Sequence, residues 1–309
     1  MTRRPPYKRY LEDPLVAVLL YAAYGVFKIL PPDCASALGG WLGRLLGSRL
    51  ARLNARAARN LRRALPHLSA SEYAAIRRGM WDNLGRTLGE CPHLDWIWQN
   101  RTEFVGSEHL RAMAEDGLPG AIYCGHLANW ELQLRAPAAA GLDNTQVYRA
   151  PNNRLIRPLL AHIRRGTGRE LVPKGSAGAK RLITVMKAHR HIGMMVDQKM
   201  NDGIAVPFFG MQAMTAPAAA QLCLRFDAPL LPLRLERLGG CRFRCTAFPP
   251  WSVADTDLPR AERVRRAMTR INADLEAWIR EHPEQWLWMH RRWPEPEAVK
   301  RRKRETISK

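Results

Sequence analysis

Between residues 69 and 280, short apolar runs alternate with longer amphipathic stretches, and this alternation restricts the fold more than any other feature. Ala121-Ile-Tyr-Cys124, Ile192 to Val196 and Leu230 to Leu235 are the length of buried strands, as are the shorter runs at 103–105 and 146–148. Cys241-Arg-Phe243-Arg-Cys245 alternates strictly, which suits a half-exposed antiparallel strand. Ser69-Ala-Ser71-Glu72 opens a helix running toward Leu88, and helices are expected over 130–140, 155–165, 177–188, 216–226 and 260–280. Strands separated by helices build an α/β fold, here a mixed β-sheet flanked by helices. No Ser/Gly/Pro-rich linker or internal repeat divides it.

The N-terminus has a different character. Basic residues (Arg3, Arg4, Lys8, Arg9) precede a charge-free run from Leu15 to Phe27, which Lys28 interrupts and Pro31-Pro32 closes. A full membrane span needs about 20 apolar residues, so this run is expected to lie in the interface or to serve as a short anchor extended by Lys28, with a buried core helix as the alternative. No A-x-A-like cleavage site follows promptly. Next, Trp41, Leu42, Leu45, Leu46, Leu50 and Leu53 form an apolar stripe, and Arg49, Arg52, Arg56, Arg59 and Arg63 step by three and four. On one helix those arginines make a continuous cationic stripe suited to an anionic bilayer surface or to solvent. The organisation expected is a membrane-associated segment over 1–48, a catalytic domain over 49–295 and a basic tail over 296–309.

Forty-nine Lys and Arg face 28 Asp and Glu, a net charge of +21 that calls for anionic partners. Nucleic acid is disfavoured: there is no Cys/His finger, no aromatic RNA-binding signature and no basic region joined to a zipper. The six cysteines show no CxxC pair or framework spacing, which argues against a zinc site and for a reducing, cytoplasmic setting. Cys124 sits in an apolar strand and reads as core. His189 and His191 read as a charged surface turn, and Trp286, Trp288 and Trp293 as core, membrane interface or acyl groove.

The block Gly125-His126-Leu-Ala-Asn-Trp-Glu131-Leu132 carries the chemistry. His126 follows a buried strand, at the carboxyl end where open α/β sheets bind their ligands. Residues five apart on a regular helix lie about 140° from each other, so His126 and Glu131 meet only if His126 is still in the loop. An alcohol attacking a carbonyl must lose its proton; a neutral imidazole takes it, and a carboxylate behind the ring fixes its tautomer. There is no G-x-S-x-G elbow, and Gly175 to Lys180 lacks P-loop spacing.

The 125–132 block resembles the H-x4-D/E motif of the late lipid A acyltransferases of Gram-negative bacteria, within the lysophospholipid acyltransferase superfamily. Three further blocks match in order: Val147-Tyr148-Arg149-Ala-Pro151-Asn152-Asn153; Asp197-Gln198 with Val206-Pro207-Phe208-Phe209-Gly210; and Pro283-Glu-Gln285-Trp286-Leu-Trp288-Met-His290-Arg291-Arg292-Trp293. The resemblance implies a glycerolipid-acyltransferase-like fold at the cytoplasmic face of the cell inner membrane. Its donor would be an acyl chain on acyl carrier protein, and its acceptor an anionic lipid A precursor in an anionic membrane. It implies His126 as base, Glu131 as its partner and Arg164 at the thioester carbonyl or substrate. Arg149, Asn152, Asp197 and Gln198 would bind substrate, and neither metal nor cofactor would take part. A lysophospholipid or another glycolipid is the alternative acceptor.

Overall fold

The computed structural model describes residues 7–148, 150–168, 170–253 and 257–294. A π-helical turn over Lys8–Glu12 leads into α1 (Asp13–Ile29), followed by α2 (Pro32–Gly47), α3 (Ala51–Ala64), α4 (Ala70–Glu90) and α5 (Leu94–Arg101). The α/β body then runs β1 (Thr102–Val105), α6 (Ser107–Glu115), β2 (Gly120–Cys124), α7 (Trp130–Gln133), α8 (Ala136–Ala139), β3 (Asn144–Tyr148), α9 (Arg157–Ile163) and β4 (Glu170–Pro173). It continues through α10 (Ser176–Lys187), β5 (His191–Met195), β6 (Lys199–Phe208), β7 (Met211–Thr215), α11 (Ala218–Phe226), β8 (Leu230–Gly239), β9 (Arg242–Ala247) and α12 (Arg260–Glu281).

Seven strands form one mixed sheet in the order β1-β9-β8-β2-β5-β3-β4, and β6-β7 form a separate hairpin. Only β8 and β9, joined by a tight turn, pair antiparallel within the large sheet. β2 and β5 are its middle strands and are almost wholly buried, because helices cover both faces. The fold class is therefore the α/β sandwich that the alternation predicts. β9 shows the half-exposed pattern expected of it, and the Ser69/Glu72 capping box opens α4.

Several expectations are corrected. The N-terminal helix is longer than its charge-free run: Tyr10–Ile29 is continuous, 20 residues long, almost entirely exposed, and long and apolar enough to cross a membrane. The arginine stripe does not lie on one helix. The chain breaks between α2 and α3, with Arg49 in the break. Arg56 and Arg63 each donate to a backbone carbonyl of the C-terminal segment, those of Met289 and Pro294. The helix expected over 130–140 is two short pieces, because Pro137 has no N–H to donate and its ring clashes with the preceding turn. His191 lies buried at the start of β5, not in a surface turn. β4, β6 and β7 lack a clear strand pattern in the sequence: β4 is only four residues long, and β6 carries Asn201, Asp202, Gly203 and Pro207, which disguise a strand.

α2 and α4 approach unusually closely. A Cβ on Gly39 would lie 2.4 Å from the carbonyl oxygen of Gly85, and one on Gly85 would lie 2.1 Å from that of Gly39. Only residues without a side chain permit this contact, which sets α4 against the rest of the N-terminal region. α4 in turn supports the site described next.

Candidate active site

His126 and Asp197 are neighbours because of strand register. Cys124 at the end of β2 pairs with Met195 at the end of β5, and each site residue lies two positions beyond its strand. Asp197 Oδ1 is 2.7 Å from His126 Nδ1, and Asp197 Oδ2 accepts the His126 backbone N–H at 3.0 Å. The same Oδ2 accepts the indole N–H of Trp286 at 2.9 Å. Burial would raise the carboxyl pKa of Asp197. The positive field of His126 and the hydrogen bonds from His126 and Trp286 outweigh it, holding Asp197 well below the usual carboxylate range. Gln198 places its amide nitrogen 3.2 Å from His126 Nε2. The His126 side chain keeps 17% exposure, whereas that of Asp197 keeps 3%.

Glu131 faces a different partner. It lies in the first turn of α7, where the Asn129 side chain accepts the Glu131 N–H. Its carboxylate takes a bidentate pair from Arg164, Nε to Oε2 at 2.8 Å and Nη2 to Oε1 at 2.7 Å. Arg164 caps α9, and its guanidinium lies over the Tyr148 ring at 5.9 Å. Burial lowers the guanidinium pKa, but the hydrogen bonds and charge of Glu131 more than offset this and leave it raised. The carboxylate behind His126 is thus Asp197, not Glu131. Trp130 links the two groups: its ring sits 5.6 Å from His126, and its N–H donates to Glu131 Oε1 at 3.2 Å.

Of the other residues expected to meet substrate, Arg149 lies outside the described residues. Asn152 is exposed on the loop before α9. Its neighbour Asn153 is buried, donates to the Asp13 carbonyl in α1 and accepts the Leu155 N–H, so this asparagine fixes structure.

A buried polar layer on α4 fixes the 125–129 loop. Ala128 adopts a left-handed conformation (φ 48°), which an alanine holds only when its surroundings impose it. Asn83 and Thr87 both donate to the Ala128 carbonyl, and the Ala128 N–H donates to the carbonyl of Gln285. Glu90, fully buried, accepts from Asn129, Ser36 and Arg237. This layer has no signal in the sequence, since the partners of Asn83, Thr87 and Glu90 lie far away along the chain. The C-terminal motif closes the far side: Trp286, Trp288 and Trp293 are fully buried and cluster with Phe208 and Phe209 of the Val-Pro-Phe-Phe-Gly block. These tryptophans are core, and Trp286 reaches from that core to Asp197. Cys124 is core as well, and burial pushes its thiol pKa up. Among the described residues, Glu236, Glu281 and His282 could together offer metal ligands, but Arg234 bridges both carboxylates at 2.7 Å.

A strand-end histidine held by a buried carboxylate on this α/β sheet has the groups needed to take a proton from a hydroxyl, and comparison with known proteins gives the class, an acyltransferase. Residues 7–295 match the family model described as bacterial lipid A biosynthesis acyltransferase, and the chain belongs to that family. It is 26% identical to the lipid A biosynthesis lauroyltransferase of Escherichia coli over 97% of this chain and 99% of that one. It is 21% identical to a lipid A biosynthesis acyltransferase of Haemophilus influenzae, over 82% of this chain and 79% of the relative. Among solved structures, the 1-acyl-sn-glycerophosphate acyltransferase of Thermotoga maritima aligns with a TM-score of 0.37 at 11% identity, covering 87% of this chain and 98% of that one. The protein is an acyltransferase of lipid A biosynthesis.

Proposed function

We propose that the protein moves a fatty-acyl chain from the thioester of acyl carrier protein to a hydroxyl of a lipid A precursor, at the cytoplasmic face of the inner membrane, with His126 as general base. The observation that carries this proposal is the two-point grip of Asp197 on His126, through Nδ1 and the backbone N–H, which leaves Nε2 on the side of Gln198. With Nδ1–H donated to a carboxylate, the Nε2 lone pair is free to act as a base once a hydroxyl displaces the Gln198 amide.

The acceptor O–H then passes its proton to Nε2 as its oxygen attacks the thioester carbonyl, and Asp197 stabilises the imidazolium that forms. Arg164 spends Nε and Nη2 on Glu131, so Nη1 is available to the developing oxyanion. Collapse of the tetrahedral intermediate breaks the C–S bond. The departing thiolate takes the proton back from Nε2, leaving an ester and a free thiol. Transfer is direct, with no acyl-enzyme, and side chains supply the base and the positive charge without metal or cofactor. Glu131 acts through Arg164. Both substrates and the membrane surface are anionic, which suits a chain of net charge +21.

The test is acyl transfer from a series of acyl carrier protein thioesters to a tetra-acylated lipid A precursor, comparing wild type with His126→Ala, Asp197→Asn and Glu131→Ala. Loss of transfer by orders of magnitude in the His126 variant, with folding intact, is expected. Wild-type transfer to a lysophospholipid, and none to the precursor, would overturn the acceptor assignment.

A further inference from the structure

A groove of about 610 Å³ lies between the C-terminal half of α2, the start of α3 and the first half of α4, separate from the residues around His126. Trp81 and Leu45 give it apolar walls, while Arg44, Arg77 and Arg78 reach into it, and no acidic residue lines it. Its volume is in the range of pockets that hold one small ligand. We propose that this groove binds the headgroup of an anionic membrane phospholipid.

The positive charge there is under-compensated. Arg44 pairs with Asp82, but Asp82 also pairs with Arg86, so one carboxylate serves two guanidiniums. Arg77 commits only Nε, to the carbonyl of Tyr73, and its charge has no counter-ion among the described residues. Arg78 is exposed and likewise has no ion pair among them. Such an array is built to receive an anion.

The surroundings favour a lipid as the source of that anion. Trp41 at the groove is 51% exposed, and Leu46 and Leu50 beside it are 57% and 46% exposed. Exposed tryptophan and leucine next to arginine is the composition of a membrane interface. The floor is preformed, because Asn54 accepts the Trp81 indole N–H at 2.8 Å and holds that ring in place. α2 also follows directly on α1, which exposes Leu15, Val18, Leu19 and Ile29 and is long enough to cross a membrane. A headgroup held at the groove would let its chains run past the exposed Trp41, Leu46 and Leu50. An acidic protein would leave them against water.

This inference deepens the anionic-lipid part of the proposed function and does not depend on the His126 chemistry. The experiment uses the full chain in neutral detergent and measures binding of dioleoylphosphatidylglycerol and dioleoylphosphatidylcholine by native mass spectrometry. Wild type, Arg77→Gln/Arg78→Gln and Trp41→Ala are compared. Wild type is expected to prefer the anionic lipid by about tenfold, the scale set by a few arginines at a lipid surface. The double variant is expected to lose that preference, and Trp41→Ala to weaken binding of both lipids. Acyl transfer in detergent should stay within about twofold of wild type, since none of these residues contacts the His126 site, and thermal unfolding should confirm that each variant is folded. Equal binding of the two lipids by wild type, or a preference that survives in the double variant, overturns the proposal. So does full competition by inorganic phosphate, which would make the site one for a free anion. A raised KM for the carrier-protein thioester with lipid preference unchanged would likewise overturn it, assigning the groove to an acidic protein. Failure of wild type to acylate any lipid A precursor would overturn the proposed reaction and leave the binding result standing.

Discussion

Asp197 uses both of its carboxylate oxygens on His126, Oδ1 at 2.7 Å from Nδ1 and Oδ2 at 3.0 Å from the backbone N–H. A single carboxylate thereby fixes the ring tautomer and the loop that carries the ring. Asp197→Asn keeps the shape but can offer its NH2 where an acceptor is needed. The wrong tautomer then becomes available, and kcat is expected to fall by about 10³–10⁴. Gln198→Ala removes one neutral hydrogen bond to Nε2, and should change kcat by about tenfold or less. Steady-state kinetics on the two variants checks this: similar losses in both would remove Asp197 from its special position.

The pairing of His126 with Asp197 shows where the sequence was readable and where it was not. The strands ending at Cys124 and Met195 stand out as apolar runs, and so do the motifs that follow them. Their adjacency depends on β2 and β5 being sheet neighbours although 71 positions separate His126 from Asp197, and no local pattern encodes that. The motif resemblance points to Glu131 as the partner, since it lies in the same block as His126. The same limitation hid Glu90, whose partners Ser36, Asn129 and Arg237 come from three distant parts of the chain. The β6–β7 hairpin was hidden for another reason. Its turn places Phe209 at φ 52° and Gly210 at φ 69°, and a bulky residue in that conformation is no turn signal.

Glu131 and Arg164 are both nearly buried, with side-chain exposures of 9% and 11%, so each depends on the other. Removing one charge strands its partner, which typically costs about 3–5 kcal/mol. Arg164→Ala and Glu131→Ala are each expected to lower the thermal unfolding temperature, and the double variant to recover much of the loss. Activity should not recover, because the guanidinium is gone. Arg164→Lys keeps the charge but not the bidentate geometry and should lose about 10²-fold or more in kcat. Recovery of activity in the double variant would show that the pair serves folding alone.

The glycine contact between α2 and α4 should be intolerant of even one methyl group. The obstacle at Gly85 is the backbone carbonyl of Gly39, which cannot swing aside as a side chain would. Gly85→Ala is expected to cost about 1–3 kcal/mol, the usual penalty for overpacking. Gly39→Ala strains the same contact from the other helix. Once one methyl has separated the helices, the second meets less resistance, so the double variant should lose less than the sum of the two. Additive losses in a thermal double-mutant cycle would show that the two glycines do not share one contact.

His290 lies beside the site with its Nδ1 buried and without a hydrogen-bond partner among the described residues. Burial lowers its pKa, the charges of His126, Arg292 and Lys174 act in the same direction, and Asp197 opposes them; the result is about 4 against an ordinary 6.5. The folded ring is therefore neutral over a range where the unfolded ring is protonated. Between those two values the unfolded chain binds more protons, so folding stability rises with pH. The contribution is present in full above pH 6.5 and is lost as the pH falls through the folded value near 4. Thermal unfolding in detergent from pH 7.5 to 5 should show wild type losing stability below pH 6.5. His290→Asn, which cannot titrate, should show a flatter slope in that window and little difference in slope above it. Matching slopes in the two proteins would assign the acid sensitivity to other groups and leave His290 with no part in it.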